Sequence, residues 1–164
     1  MFECTGYAIN TSSTVIPVFV TSTLPPSKVL MTWNELFDRG AVFAKMTIPT
    51  SGVAYLIAAL FTHLTISHPK ITILGIQQAT QLLIAGALLF TVLPFTLVFV
   101  FPHSVYPLRA RLVAIEERMR LGEEVESMVD IRAVRAELAN FSSKNLFRAA
   151  IFTTSMILGV TAHS

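Results

Sequence analysis

Apolar and charged residues lie in separate blocks along this chain. Residues 71–108 contain no lysine, arginine, aspartate or glutamate, a run of thirty-eight positions. Within it, residues 82–101 are almost wholly apolar. About twenty such residues, at about 1.5 Å of rise each, match a hydrocarbon core about 30 Å thick. This block predicts a membrane-spanning helix.

Three more uncharged stretches cover residues 4–27, 46–69 and 149–164. The chain is 53 % hydrophobic and 13 % charged, with a mean hydropathy of +0.65, which is too apolar for an ordinary soluble domain. We expect an all-α integral membrane four-helix bundle that forms one domain over residues 1–164. The predicted spans are residues 5–24, 42–63, 80–102 and 146–163. The first is rich in threonine and serine, whose hydroxyls are expected to bond a neighbouring helix.

The connections between the predicted spans differ in character. After the Pro25-Pro26 turn, apolar positions spaced three and four apart predict a short interfacial helix, with Ser27 as its N-cap and Gly40 just past its end. Residues 107–143 are rich in charge and carry apolar residues at helical spacing. They predict amphipathic cytosolic helices between the third and fourth spans, broken near Gly122.

The basic residues predict the orientation. Eleven of the twelve lie on the side of the first and third connections, and only Lys70 lies opposite. By the positive-inside rule those connections are cytosolic and both termini are luminal. We expect an endomembrane location, in the endoplasmic reticulum or a vesicle. On this topology the Asn140 sequon faces the cytosol and is not glycosylated, whereas the Asn10 sequon faces the lumen.

Composition also limits the chemistry. A net charge of +2, without aromatic residues interleaved in a basic stripe, gives no support for a nucleic-acid partner. Cys4 is the only cysteine, so the chain has no internal disulfide and no thiolate metal cluster. No phosphate loop or hydrolase motif is present, and no metal site is predicted. The expected surroundings are the lipid bilayer.

A carboxylate and a guanidinium stand just before the second predicted span. Asp38 and Arg39 follow Trp33 on the predicted interfacial helix and could present both charges to a polar ligand group. The alternative is structural, since Glu35 and Arg39 are four residues apart and could form a surface pair worth a few tenths of a kcal/mol. The sequence does not decide between these readings.

The end of the long uncharged run offers a second candidate site. His103 follows Pro102 on the same predicted cytosolic face, and an imidazole there can act as a base near neutral pH. The alternative is a polar interfacial anchor. Pro94, inside the span, is expected to bend the helix and open space beside it.

Two segments carry a family resemblance. Residues 33–40 read Trp-Asn-Glu-Leu-Phe-Asp-Arg-Gly after a Pro-Pro turn, and residues 94–102 read Pro-Phe-Thr-Leu-Val-Phe-Val-Phe-Pro. Together with Pro49 in the second span, they resemble the anthrone oxygenase family of small four-span proteins. The family's Trp, aromatic and Gly positions match Trp33, Phe37 and Gly40. The family's Pro-Thr-Asn after the third span is Pro-His-Ser here.

The resemblance implies a cofactor-independent monooxygenase of aromatic polyketide biosynthesis, which oxidises an anthrone to an anthraquinone with molecular oxygen as co-substrate. The implied partner is a lipophilic aromatic small molecule that enters from the bilayer. We expect His103 or Asp38 to accept the proton and Arg39 to stabilise the phenolate. The residues expected to bind the substrate are Trp33, which would stack on its rings, and Phe37, Asn34 and Pro94.

Two interpretations of the sequence, each from a different functional class, remain open. The chain could be a non-catalytic four-span scaffold, in which residues 109–144 dock a cytosolic partner, because charge pairs such as Glu116 with Arg120 are what any solvated helix shows. It could also be a carrier of lipophiles that uses the same pocket without a base. A homo-oligomer is compatible with each reading.

Overall fold

The computed structural model describes residues 9–65, 70–124 and 129–162. About 87 % of the structure is helical, and these residues form no strand. They form four continuous helices, which are α1 Thr11–Thr21, α2 Pro26–Thr65, α3 Gln78–Arg120 and α4 Ile131–Thr161. The prediction of an all-α fold is confirmed.

Helices α2 and α3 are long and apolar enough to cross a membrane. Only 11 % and 28 % of their most apolar windows are buried inside the molecule, whereas a core helix of a soluble protein buries most of its apolar face. This exposure favours membrane association. Helix α1 is short, residues 5–8 of the first predicted span lie outside the described residues, and α4 does not reach the same hydropathy. The first and fourth spans therefore stay predictions.

One boundary was predicted wrongly. The expected interfacial helix does not end at Gly40, because α2 runs without a break from Pro26 through Gly40 to Thr65. A glycine ends a helix by adopting a positive φ, and Gly40 is not among the glycines that do so. Ser27 lies buried in the first helical turn rather than before it, since Pro26 opens the helix, as proline often does.

Helix α3 changes geometry after Pro94. It is α-helical over Gln78–Phe95 and π-helical over Thr96–Val105, and it returns to α-helix over Tyr106–Arg120. Proline lacks the N–H that would continue the ladder, and π-helical turns contain extra residues and often mark functional sites. The predicted third span and the first charged helix are thus one continuous rod.

The break near Gly122 is confirmed. Helix α3 ends at Arg120, Gly122 has a φ of +76°, and α4 begins at Ile131. The Asp130 side chain accepts hydrogen bonds from the backbone N–H groups of the first turn of α4, as an N-cap does.

Close contacts join helices α2, α3 and α4 around Gly86. A Cβ placed on Gly86 of α3 would lie 3.2 Å from the Gly52 carbonyl oxygen of α2, so the two backbones touch there. Ser155 of α4 donates a 2.8 Å hydrogen bond to the Ala85 carbonyl of α3. Three apolar clusters follow along the molecule, centred on Trp33, on Ile48 and on Ala59.

A buried glutamine ties the end of α4 to the turn before α3. Gln81 is fully buried, and its Nε2 donates to the Leu158 carbonyl at 2.8 Å and to the Thr161 hydroxyl at 2.7 Å. Its Oε1 accepts a hydrogen bond from Thr72. These bonds hold α3 and α4 in register at the end opposite the charged segment.

Candidate functional site

A cavity of about 190 Å³ lies between the cluster around Trp33 and the cluster around Ile48. All four helices line it. Most of the lining is apolar, and six of the lining residues carry aromatic side chains, namely Trp33, Phe37, Phe43, Phe101, Phe141 and Phe152. An apolar cavity with a few polar groups is the usual form of a small-molecule site.

The aromatic wall is built by packing between helices. Trp33 and Phe37, one turn apart on α2, stack with ring centroids 5.5 Å apart, and Phe141 of α4 meets Trp33 edge-on at 5.4 Å. Phe101 of α3 meets Phe37 edge-on at 5.9 Å. Trp33 is only 1 % exposed, so the ring expected to stack on a substrate is already stacked on Phe37. Its buried indole N–H has no acceptor among the described residues.

Polar groups reach the cavity from α1 and α4. Arg148 lines it half-buried, and its Nη1 donates to the Asn145 Oδ1 at 3.3 Å. The Asn145 Nδ2 donates to the Ser12 hydroxyl of α1 at 2.9 Å, and Ser142 donates to the Ser12 carbonyl at 2.9 Å. The Ser12 hydroxyl thus bonds a neighbouring helix, as predicted, whereas the Ser13 hydroxyl donates to the Ile9 carbonyl one turn earlier. Lys45 also lines the cavity, from α2.

Asn34 and Asp38 do not line the cavity but form a polar cluster at its edge. The Arg109 Nε donates to the Asn34 Oδ1 at 3.0 Å, and its Nη2 donates to an Asp38 carboxylate oxygen. The Asn34 Nδ2 also donates to Asp38, at 3.2 Å. Because Arg109 also lies over the ring of Phe37, this cluster reaches the cavity only through Phe37.

Arg39 forms the surface pair with Glu35 that the sequence offered as the alternative to a role at the site. Its guanidinium pairs with Glu35 one turn earlier on α2, and its side chain is 72 % exposed. It is not among the residues that line the cavity. The cations that do line it are Lys45 and Arg148.

His103 and Pro94 are exposed, and neither lines the cavity. What His103 contributes to packing is its backbone carbonyl, which accepts hydrogen bonds from Asn140 at 3.1 Å and Lys144 at 3.4 Å. Lys144 also donates to the Ser104 hydroxyl at 3.1 Å, and burial lowers the pKa of its ammonium group below the ordinary value. Pro94 acts on the cavity indirectly, because its neighbours Leu93 and Thr96 line it.

Arg148, Asn145 and Lys45 are cavity-lining residues with charged or amide side chains that sequence reasoning missed. Arg148 is the last charge before sixteen uncharged residues and lies within the fourth predicted span. A usable signal is present, since Phe141, Asn145, Arg148 and Phe152 recur at spacings of three and four and so share one face of α4. Within the three described ranges, no group of three histidine, cysteine or acidic residues could hold a metal ion.

The fold and the cavity together define an all-helical protein with two candidate membrane-spanning helices and an aromatic-lined cavity. The sequence matches the family described as anthrone oxygenase over residues 33–158, about three quarters of the chain. The chain therefore belongs to the anthrone oxygenase family, and the predicted family assignment is confirmed. No curated protein and no solved structure matches the chain.

Proposed function

We propose that this protein oxidises an anthrone-type aromatic to an anthraquinone with molecular oxygen, inside the cavity between the four helices. The observation that carries the proposal is the pairing of an aromatic-lined cavity with the guanidinium of Arg148, in a member of the anthrone oxygenase family. Planar rings fit between aromatic side chains, and a cation at the wall suits an oxyanion.

Arg148 is the proposed stabiliser of the substrate anion. An anthrone loses a methylene proton to give a delocalised phenolate, which reduces oxygen more readily than the neutral molecule does. A guanidinium fixed beside Asn145 in an apolar cavity stabilises that negative charge more strongly than water-exposed Arg39 can, because the surroundings screen it less. The Trp33 indole N–H, which has no acceptor among the described residues, is a second proposed donor to a substrate oxygen.

The proposed reaction is balanced. The anion gives one electron to oxygen, and the resulting carbon radical and superoxide combine into a carbon–oxygen bond. The peroxide is protonated, its carbon loses the second methylene proton, and the oxygen–oxygen bond breaks to release water and leave the quinone carbonyl. The substrate supplies all the electrons that reduce oxygen, so the proposed reaction needs no other reductant. The proposed role of the cavity is to hold the radical pair and exclude water.

His103 and Asp38 stay predictions as proton acceptors. Neither side chain lines the cavity, and the described lining residues include no carboxylate and no imidazole. A proton would therefore have to reach either group through water at the edge of the cavity. The proposal requires the anion to be bound inside the cavity, whichever group takes its proton.

The proposed setting is an endomembrane bundle of four spans with luminal termini. The exposed apolar windows of α2 and α3 support two of these spans. Eleven of the twelve basic residues lie on the predicted cytosolic side. Expression in microsomes tests the orientation: an unmodified Asn140 agrees with it, and glycosylation of Asn140 would reverse it.

The function is tested with purified protein in phosphatidylcholine vesicles, given emodin anthrone under ¹⁸O₂. We expect quinone formation well above autoxidation in protein-free vesicles, with one heavy oxygen in the new carbonyl and the other in water. Oxidation at the autoxidation rate for several anthrones, accompanied by saturable binding, would replace this proposal with the lipophile carrier. That second function is favoured by the lack of a carboxylate or imidazole among the described lining residues. If the protein neither binds nor oxidises any of the anthrones, the non-catalytic scaffold is the function that remains.

A further inference from the structure

Helices α2 and α3 separate beside the cavity. Their backbones lie close along Gln78–Phe95 of α3 and again along Tyr106–Arg120, but they stand farther apart along the π-helical stretch Thr96–Val105. The separation therefore has two closed ends and an open middle, across part of which Phe101 meets Phe37 edge-on. The cavity lies behind the open middle, since Leu97 and Phe101 of this stretch line it.

Different contacts close the two ends. At one end, Gly86 packs against the Gly52 carbonyl, and Gly52 in turn lies under the ring of Phe90, where an added Cβ would come within 2.9 Å. At the other end, Arg109 of α3 bonds Asn34 and Asp38 of α2. No described ion pair joins α2 to α3 between these two contacts.

The rim of the opening is apolar and exposed. Leu97 is 64 % exposed while it lines the cavity, and Phe43 and Leu93 also combine exposure with a place in the lining. Exposed leucine and phenylalanine on a membrane-spanning helix face lipid rather than water. The opening therefore faces the bilayer.

We infer that the gap between α2 and α3, with Phe43, Leu93 and Leu97 at its rim, is a lateral window through which a planar aromatic lipophile passes from the bilayer into the cavity. The inference deepens the proposed function, because it assigns a route and a rim to the same site. The Arg109 cluster closes the window towards the charged segment. Its position leaves the lipid side as the open approach.

The shape of the cavity supports a planar aromatic occupant. Apolar cavities of about 150 Å³ hold one benzene ring, so about 190 Å³ does not enclose a three-ring molecule. Such a molecule would extend from the inner wall at Trp33 towards Leu97. The window is then part of the binding site, and the rim residues contact the outer ring of the ligand.

Adjacent positions on α3 provide a matched test. Leu97 lines the cavity, whereas Val98, at 55 % exposure, does not. Cys4→Ser removes the only native cysteine. Leu97→Cys and Val98→Cys in that background would be labelled in detergent with N-cyclohexylmaleimide and reconstituted into phosphatidylcholine vesicles. Trp33 is the only tryptophan, so quenching of its fluorescence by added 9,10-anthraquinone reports ligand arrival at the inner wall.

We expect the label at Leu97 to slow the quenching at least tenfold relative to the label at Val98, because only Leu97 lies at the rim of the window. Energy transfer from anthraquinone that is still in the lipid is common to both proteins and cancels in this comparison. Leu97→Ala without a label should speed it, which keeps the test valid if the labelled protein folds poorly. Equal rates for the two labelled proteins would overturn the window. So would strong quenching of Trp33 by brominated-acyl phosphatidylcholine that anthraquinone does not relieve, because an acyl chain would then be the occupant.

Anthrone oxidation in the same vesicles separates this inference from the proposed function. Slower quenching at the Leu97 label without oxidation in the unlabelled protein would keep the window and reject the oxygenase. Oxidation at equal rates in both labelled proteins would keep the oxygenase and reject the window.

Discussion

The guanidinium carbon of Arg109 lies 5.3 Å from the ring centroid of Phe37, so a charged residue outside the cavity holds one of the rings that line it. Arg109 also bonds Asn34 and Asp38, which stand one turn apart on α2. The sequence assigned Asn34 and Asp38 to direct roles at the substrate. In the structure they hold Arg109, and Arg109 positions Phe37.

Arg109→Met should weaken substrate binding more than it slows the chemical step. Methionine keeps the apolar stem but removes an attraction to Phe37 worth about 0.5 to 1 kcal/mol, which corresponds to roughly a two- to fivefold rise in KM. The measurement is KM and kcat for anthrone oxidation, with Arg120→Met on the exposed end of α3 as the control. A fall in kcat at unchanged KM would contradict the positioning role and favour a direct role for Asp38.

Arg148→Gln should lower kcat/KM by about a hundredfold, the usual cost of removing one donor to a developing oxyanion. Arg148→Lys should recover only part of the loss, because an ammonium lacks the planar fork of a guanidinium. Arg39→Gln tests the sequence-based alternative, and its exposed pair with Glu35 should leave kcat/KM within a fewfold. The opposite ranking of the two glutamine variants would restore Arg39 as the phenolate stabiliser.

Gln81→Leu should destabilise the protein by about 1 to 3 kcal/mol, since the buried Thr72 hydroxyl and the Thr161 hydroxyl each lose a hydrogen-bond partner. The midpoint of thermal unfolding in detergent measures the effect. Gln77→Leu is the matched control, because Gln77 is exposed at the start of the same helix. Equal midpoints for the two variants would mean that the Gln81 network adds no stability.

Gly159→Ala should destabilise by about 1 to 3 kcal/mol through overpacking, because the added methyl group would overlap the Tyr55 ring and hydroxyl. Tyr55→Leu in the same chain should recover most of the loss, since it removes the atoms that clash. The measurement is again the thermal unfolding midpoint. A double variant no more stable than Gly159→Ala alone would show that α2 and α4 do not meet at this point.

The sequence by itself determined the features that depend on local chemistry. Long uncharged runs predict helices suited to lipid, and α2 and α3 bear this out. The glycine and charges around Gly122 predict the break between α3 and α4, because a flexible residue with a positive φ ends a helix locally. The short motifs at residues 33–40 and 94–102 indicate the family, and the family match over residues 33–158 confirms it.

Only the tertiary structure decided which residues meet. Spacing fixes the angle of a side chain around its own helix, but the rotation of that helix against its neighbours comes from packing. Arg148 therefore lines the cavity and Arg39 is exposed, although both lie near the start of a predicted span. Likewise, Asn145 bonds Ser12 across 133 residues of chain, a contact that no local pattern contains. The cavity and its window arise from the spacing between helices, which is why the sequence named Trp33 and Phe37 but not the α4 side of the cavity.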